Sequence, residues 1–149
     1  MDQVLIDTNI LVYAHQPSET AKYDRATTVI EALAESGAGC LSAQILGEFL
    51  NATTRGRSPV LSVRDALSQA TILANAFPLF DLTGVIVLEA GRGVREHQLS
   101  YFDAQIWATA RLNQVPSIFT EDFTNGRRLE GVQFLNPLLP SFDLARWLQ

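Results

Sequence analysis

The chain opens on a short apolar run, Val4-Leu5-Ile6, that stops abruptly at Asp7-Thr8-Asn9, the pattern of a buried strand feeding a turn. Residues 21–35 read as a helix closed by Gly37 and Gly39. Gly39-Cys40-Leu41 reads as a strand, and Ser42 caps a helix from Ala43 to about Arg55 with apolar Ile45, Leu46, Phe49 and Leu50. Ser62-Val63-Arg64-Asp65 opens a third helix through a capping-box pattern. Strand over 78–82 and helix over 85–96 follow, the helix weakened by Gly91 and Gly93. Ser100 to Asp103 begin a helix that runs to Leu112; Ser117 to Thr120 and Val132 to Leu135 read as the last strands. Strands alternating with helices predict an α/β fold, a three-layer sandwich with a mainly parallel central sheet flanked by helices. Residues 1–137 are expected to form the domain, and 138–149, with Phe142, Leu144 and Trp147, a tail that packs on it or on a partner.

Composition narrows the class. With 149 residues, 47% hydrophobic and 18% charged, the chain suits one globular domain and not a disordered one. The single cysteine, Cys40, excludes an internal disulfide and a thiolate metal site. Neither a signal peptide nor a membrane-length apolar run is visible, so a reducing, cytoplasmic setting is expected. Net charge is −5, and Lys22 is the one lysine among eleven cations. An acidic chain binds nucleic acid poorly through phosphate neutralisation alone.

Four acids carry the candidate chemistry. Asp7 and Asp122 follow apolar strands, and ligands of open parallel sheets bind beyond the carboxyl ends of strands. Glu48 interrupts the apolar stretch Ile45 to Leu50, and Asp103 stands at the start of a late helix. Each has an ordinary explanation by itself: Asp7 as a turn or cap residue, Glu48 on a solvated helix edge, Asp103 answering Ser100 in a capping box, Asp122 in an Asx turn. Gathered at one sheet edge, however, four carboxylates would repel strongly, and a hard divalent cation is the simple remedy; no His/Cys cluster favours zinc.

Asp7-Thr8-Asn9 after an N-terminal strand, Ser42 followed by Glu48, Tyr101-Phe102-Asp103-Ala104-Gln105-Ile106 opening a late helix, and Thr120-Glu121-Asp122-Phe123 after a strand together resemble a PIN domain, and more narrowly the VapC-type toxins of bacterial toxin–antitoxin pairs. Gly126-Arg127 and Asn136-Pro137 add to the likeness, which spans roughly Val4 to Pro137. The resemblance implies an endoribonuclease using Mg²⁺ or Mn²⁺, one ion or two, dimeric, and neutralised by a VapB-type antitoxin. Carried over by position, the acidic quartet is Asp7, Glu48, Asp103 and Asp122, of which Asp122 matches least firmly; Thr8 or Asn9 and Ser42 match supporting polar positions.

A bound metal would activate water for in-line attack on a phosphodiester. Asp7 is then the central ligand, Asp103 and Asp122 bind directly or through water, and Glu48 is a water-mediated ligand or orients the attacking water. Thr8 and Ser42 are expected to brace these carboxylates. Without the four site acids the net charge moves from −5 to −1, and Arg55, Arg57, Arg127 and Arg128 are expected near the mouth as RNA contacts. Three readings compete: an inert RNA- or protein-binding module of the same fold, a DNA-directed nuclease, and an aspartyl phosphotransferase. The last needs a lysine near its phosphate, whereas Lys22 lies inside the first long helix.

Overall fold

The computed structural model describes residues 2–149. Strand β1 (Val4–Ile6) lies at the centre of a six-stranded sheet with every residue buried, which its unbroken apolar run requires. On one side stand β2 (Gly39–Ser42) and β3 (Leu79–Phe80); on the other stand β4 (Ser117–Phe119), β6 (Val132–Leu135) and β5 (Arg128–Leu129). The order is β3-β2-β1-β4-β6-β5, parallel throughout except for β5. Among the described residues seven helices flank the sheet, and the expected α/β sandwich with a mainly parallel sheet is the fold.

The chain winds outward from β1 to β2 and β3, then returns to lay β4 against the opposite edge of β1. The direction of winding therefore reverses between β1 and β4. Their carboxyl ends flank the crevice where open α/β sheets bind ligands.

Three elements depart from expectation. The segment after Asp7 is a short helix, α1 (Thr8–Tyr13), and not a turn. Asp7 caps it, its carboxylate accepting from Thr8 N at 2.7 Å. Thr8, Asn9, Ile10 and Val12 favour helix weakly, so burial of Ile10 and Leu11 holds it in place. The third strand is only two residues long, not five. Last, β5 and β6 form a hairpin through Glu130-Gly131, both at positive φ (48° and 86°), as a two-residue primed turn needs. Glu130 in place of Asn or Gly hides that turn in the sequence. Its carboxylate accepts two hydrogen bonds from Arg92, at 3.0 and 2.9 Å, and lies 2.7 Å from His97 Nε2.

Helix α2 (Thr20–Ser36) ends in left-handed Gly37, and α3 (Ala43–Thr54) begins at the Ser42 cap, Oγ accepting from Ile45 N at 3.2 Å. Helix α4 (Val63–Ala76) is capped by Ser62 and packs on α3. Helix α5 (Gly84–His97) packs along α6 (Tyr101–Leu112), and α6 lies on β4 and β6. Gly93, read as a helix weakness, is what permits that packing: a Cβ there would meet Trp107 Cζ3 at 2.8 Å. Trp107 is fully buried and donates to Leu129 O at 3.2 Å. Beyond Pro137, Leu138 is buried, and Phe142 and Trp147 meet Phe119 edge-on at 5.3 and 4.9 Å. Trp147 closes the one-turn helix α7 (Leu144–Trp147). Among the described residues no helix is long and apolar enough to cross a membrane.

Candidate active site

Asp7 leaves β1 at the switch point with its amide donating to Phe119 O at 2.9 Å, which ties the ends of β1 and β4 together. Its side chain is 3% exposed. Both oxygens are held: Oδ1 accepts from Thr8 N, and Oδ2 accepts from the Thr120 hydroxyl at 2.7 Å. Burial pushes the carboxyl up to about 7, the Thr120 and Thr8 hydrogen bonds pull against that, and the charges of Asp122 and Glu48 add to it.

Asp7, Glu48, Asp103 and Asp122 come from α1's cap, α3, α6 and the loop after β4, and all line one open cavity of about 420 Å³. Glu48 is fixed from two sides, Oε2 accepting from the Thr8 hydroxyl at 2.8 Å and Oε1 from Gln44 Nε2 at 2.9 Å. Asp103 Oδ2 accepts from Ser100 Oγ at 2.8 Å. Ser100 occupies the N-cap position of α6 without capping through its side chain, so the hydroxyl serves Asp103 instead of the helix. Asp122 is exposed, yet desolvation lifts its carboxyl above the ordinary range, offset by the Asn9 side chain and reinforced by the charges of Asp103, Glu121 and Glu48. Asp7 and Asp122 thus each feel the charge of other acids lining the cavity.

All the donors this cavity offers a cation are hard oxygens, which suits Mg²⁺ or Mn²⁺. Asn9 Oδ1 also lies buried without a hydrogen-bond partner among the described residues. Among those residues no three His, Cys, Asp or Glu side chains stand close enough together to hold a metal ion as placed.

The supporting residues divide. Thr8 braces Glu48, and Asn9 reaches toward Thr120 Oγ1 at 3.5 Å. Ser42, expected to brace a carboxylate, is used by the backbone as the α3 cap. Thr120 fills the bracing role expected of Ser42: it is 1% exposed, donates to Asp7, and accepts from Asp122 N at 3.1 Å. Its place at the end of an apolar strand, two residues before an acid, was the available signal.

Of the four arginines, Arg55 lines the cavity while Arg57, Arg127 and Arg128 do not. Arg128 lies on β5 opposite Gln133, which pairs with Ser117 at the amino end of β4, and its guanidinium donates to Gln133 Oε1. The antiparallel return of β5 carries it away from the carboxyl-end crevice. Lys22, by contrast, comes closer than its sequence position suggested. Its ammonium is engaged by Glu121 Oε2 at 3.0 Å and by the hydroxyl of Tyr13, a cavity-lining residue. Cys40 is buried, its thiol is pushed up to about 12 by burial, and it donates to Val4 O, so it is chemically inert.

Sequence comparison matches residues 4–126 to the model of the PIN domain. No curated protein sequence matches significantly. Solved structures do. VapC20 of Mycobacterium tuberculosis, described as a sarcin–ricin loop cleaving toxin, is 19% identical with a TM-score of 0.63, over 80% of this chain and 90% of its own. A chain of the DNA-bound VapBC complex of Salmonella typhimurium is 14% identical at 0.65, over 92% and 99%. One from FitAcB of Neisseria gonorrhoeae is 17% identical at 0.64, over 91% and 98%.

Proposed function

The chain belongs to the PIN domain family, and from that premise we propose that it is a divalent-metal-dependent endoribonuclease, the toxin of a type II toxin–antitoxin pair. The observation that carries the reading is the convergence of Asp7, Glu48, Asp103 and Asp122 on one cavity at the switch point of the sheet. Asp7, Asp103 and Asp122 would hold the ion, with Glu48 beside it; bound there, Mg²⁺ or Mn²⁺ supplies a water of lowered pKa and neutralises charge on the phosphate.

The chain's own residues do the rest. Thr8 N and Thr120 Oγ1 fix both oxygens of Asp7, so that carboxylate is oriented before any ligand arrives. Ser100 does the same for Asp103. Glu48, held by separate donors on its two oxygens, orients the attacking water. Arg55 at the cavity wall receives a phosphate of the RNA strand.

The partner is a VapB-type protein, by analogy with the VapBC complex of Salmonella typhimurium and a structurally similar toxin–antitoxin complex of Klebsiella pneumoniae. The active form is a homodimer acting in the cytoplasm. Incubation of purified protein with structured RNA and Mn²⁺ tests the reading. Cleavage by the natural protein, lost in Asp7→Asn and on chelation, supports it. Equal cleavage by both proteins means a contaminant, cleavage of DNA alone a nuclease of different substrate, and RNA binding without cleavage an inert module.

A further inference from the structure

Phe102 stands immediately before Asp103 on the first turn of α6, yet it is 63% exposed. Its backbone is tied to the site: Gln44 Nε2 donates both to Glu48 Oε1 at 2.9 Å and to Phe102 O at 3.0 Å. Gln44 is itself held, its Oε1 accepting from Gln105 Nε2 at 2.9 Å. Gln105 is 4% exposed, and its Oε1 accepts from the Tyr101 hydroxyl at 2.8 Å. One directed chain of hydrogen bonds thus runs from Tyr101 through Gln105 and Gln44 to Glu48. It holds an exposed aromatic pair, Tyr101 and Phe102, edge-to-face at 5.3 Å, in register with a site carboxylate.

Resting on the ribonuclease reading, we propose that the Phe102 ring is a stacking platform for an unpaired nucleobase beside the scissile phosphate. The charge balance points the same way. The chain carries −5 overall, four acids face the cavity, and Arg55 is the cation lining it. With one arginine at the wall, phosphate contacts leave room for an uncharged contribution to RNA affinity at this mouth. A base presents a π-face whatever its identity, and stacking on an aromatic side chain needs no counter-charge. Bases inside a duplex hide those faces, so the platform requires an unpaired base at the cut. Phe102 sets position along the strand, and Gln44 fixes the distance from stacked base to Glu48.

The test uses the full chain in the Asp7→Asn background, with short unpaired oligoribonucleotides and the same oligomers bearing abasic positions as probes. Phe102→Ala weakens binding of the intact oligomers by about 5- to 150-fold and leaves the abasic ones unchanged. Phe102→Trp restores binding, and its fluorescence is quenched as RNA is added. With Asp7 intact, Phe102→Ala raises KM far more than it lowers kcat. Equal affinity for intact RNA with and without the Phe102→Ala change overturns the platform, as does a change in sedimentation, which would assign the ring to a contact between copies of the chain. If the natural protein cuts no RNA with Mn²⁺, the ribonuclease reading fails; if it cuts and Phe102→Ala leaves KM unchanged, only the platform does.

Discussion

The Thr120 hydroxyl donates to Asp7 Oδ2 at 2.7 Å, joining the carboxyl ends of β4 and β1 across 113 residues of sequence. That bond and the Thr8 amide fix the deepest carboxylate of the candidate site. Thr120→Val removes the donor while keeping shape and burial. It is expected to weaken Mn²⁺ binding by about 10- to 100-fold, with Thr120→Ser restoring most of it. Calorimetric titration checks this, and equal affinities for Val and Ser would show that the hydroxyl does not act through Asp7.

Asp7 also makes metal-free stability depend on pH. Folding raises its carboxyl from 3.8 to about 7. Between those values the folded chain keeps a proton that the unfolded chain has released, so stability is greatest below the unfolded value and falls as pH rises through this window. At about 1.4 kcal/mol per unit, the loss is a few kcal/mol. Melting in chelator from pH 4.5 to 8 should show the decline, with millimolar Mn²⁺ reversing it at the upper end through binding to the native state. A flat profile would mean that the carboxyl is solvated.

Asp7→Asn is therefore expected to separate stability from activity. It removes a buried charge, so in chelator at pH 8 its Tm should exceed that of the natural protein, while cleavage falls by at least about 100-fold. The rise of Tm with Mn²⁺ should shrink at the same time. Thermal scans with and without metal, beside an RNA cleavage assay, measure all three.

Gly93 and Gly91 predict opposite signs from one chemical change. A methyl at Gly93 meets Trp107 at 2.8 Å, whereas nothing lies within 4 Å of a methyl at Gly91. Gly93→Ala should destabilise by about 1–3 kcal/mol before an offset of about 1 from helix propensity. Gly91→Ala should stabilise by up to about 1 kcal/mol. Urea midpoints decide; the same sign for both would mean that α5 shifts freely over α6.

Arg55→Glu should weaken RNA binding and lower its salt dependence, because Arg55 lines the cavity. Arg128→Glu, on the edge strand beside Gln133, should change neither. Filter binding across a salt series distinguishes the two, and equal effects would move the RNA path toward β5.

What the sequence made legible was what short-range chemistry encodes. Val4-Leu5-Ile6 is uniformly apolar because β1 is covered on both faces, and the polar break at Asp7 marks its carboxyl end. Glu48 stood out as an acid inside an apolar stretch. What depends on the return of the chain was hidden. Thr120 became a site residue only when β4 paired with β1. Gln44 and Gln105 look in sequence like ordinary solvated helix positions, and only packing shows one buried and both bonded in series. Arg127 and Arg128 follow Asp122 closely in sequence, but the chain reverses between β4 and β5, and Arg128 pairs with Gln133 on the antiparallel edge strand. Nearness along the chain pointed to the wrong neighbourhood there.

Because the winding reverses beside β1, the strand that begins the site is made first and the loop that completes it is made last. The four-acid constellation therefore cannot exist until most of the chain has been made. A polypeptide stopped anywhere before Asp122 owns only part of the constellation.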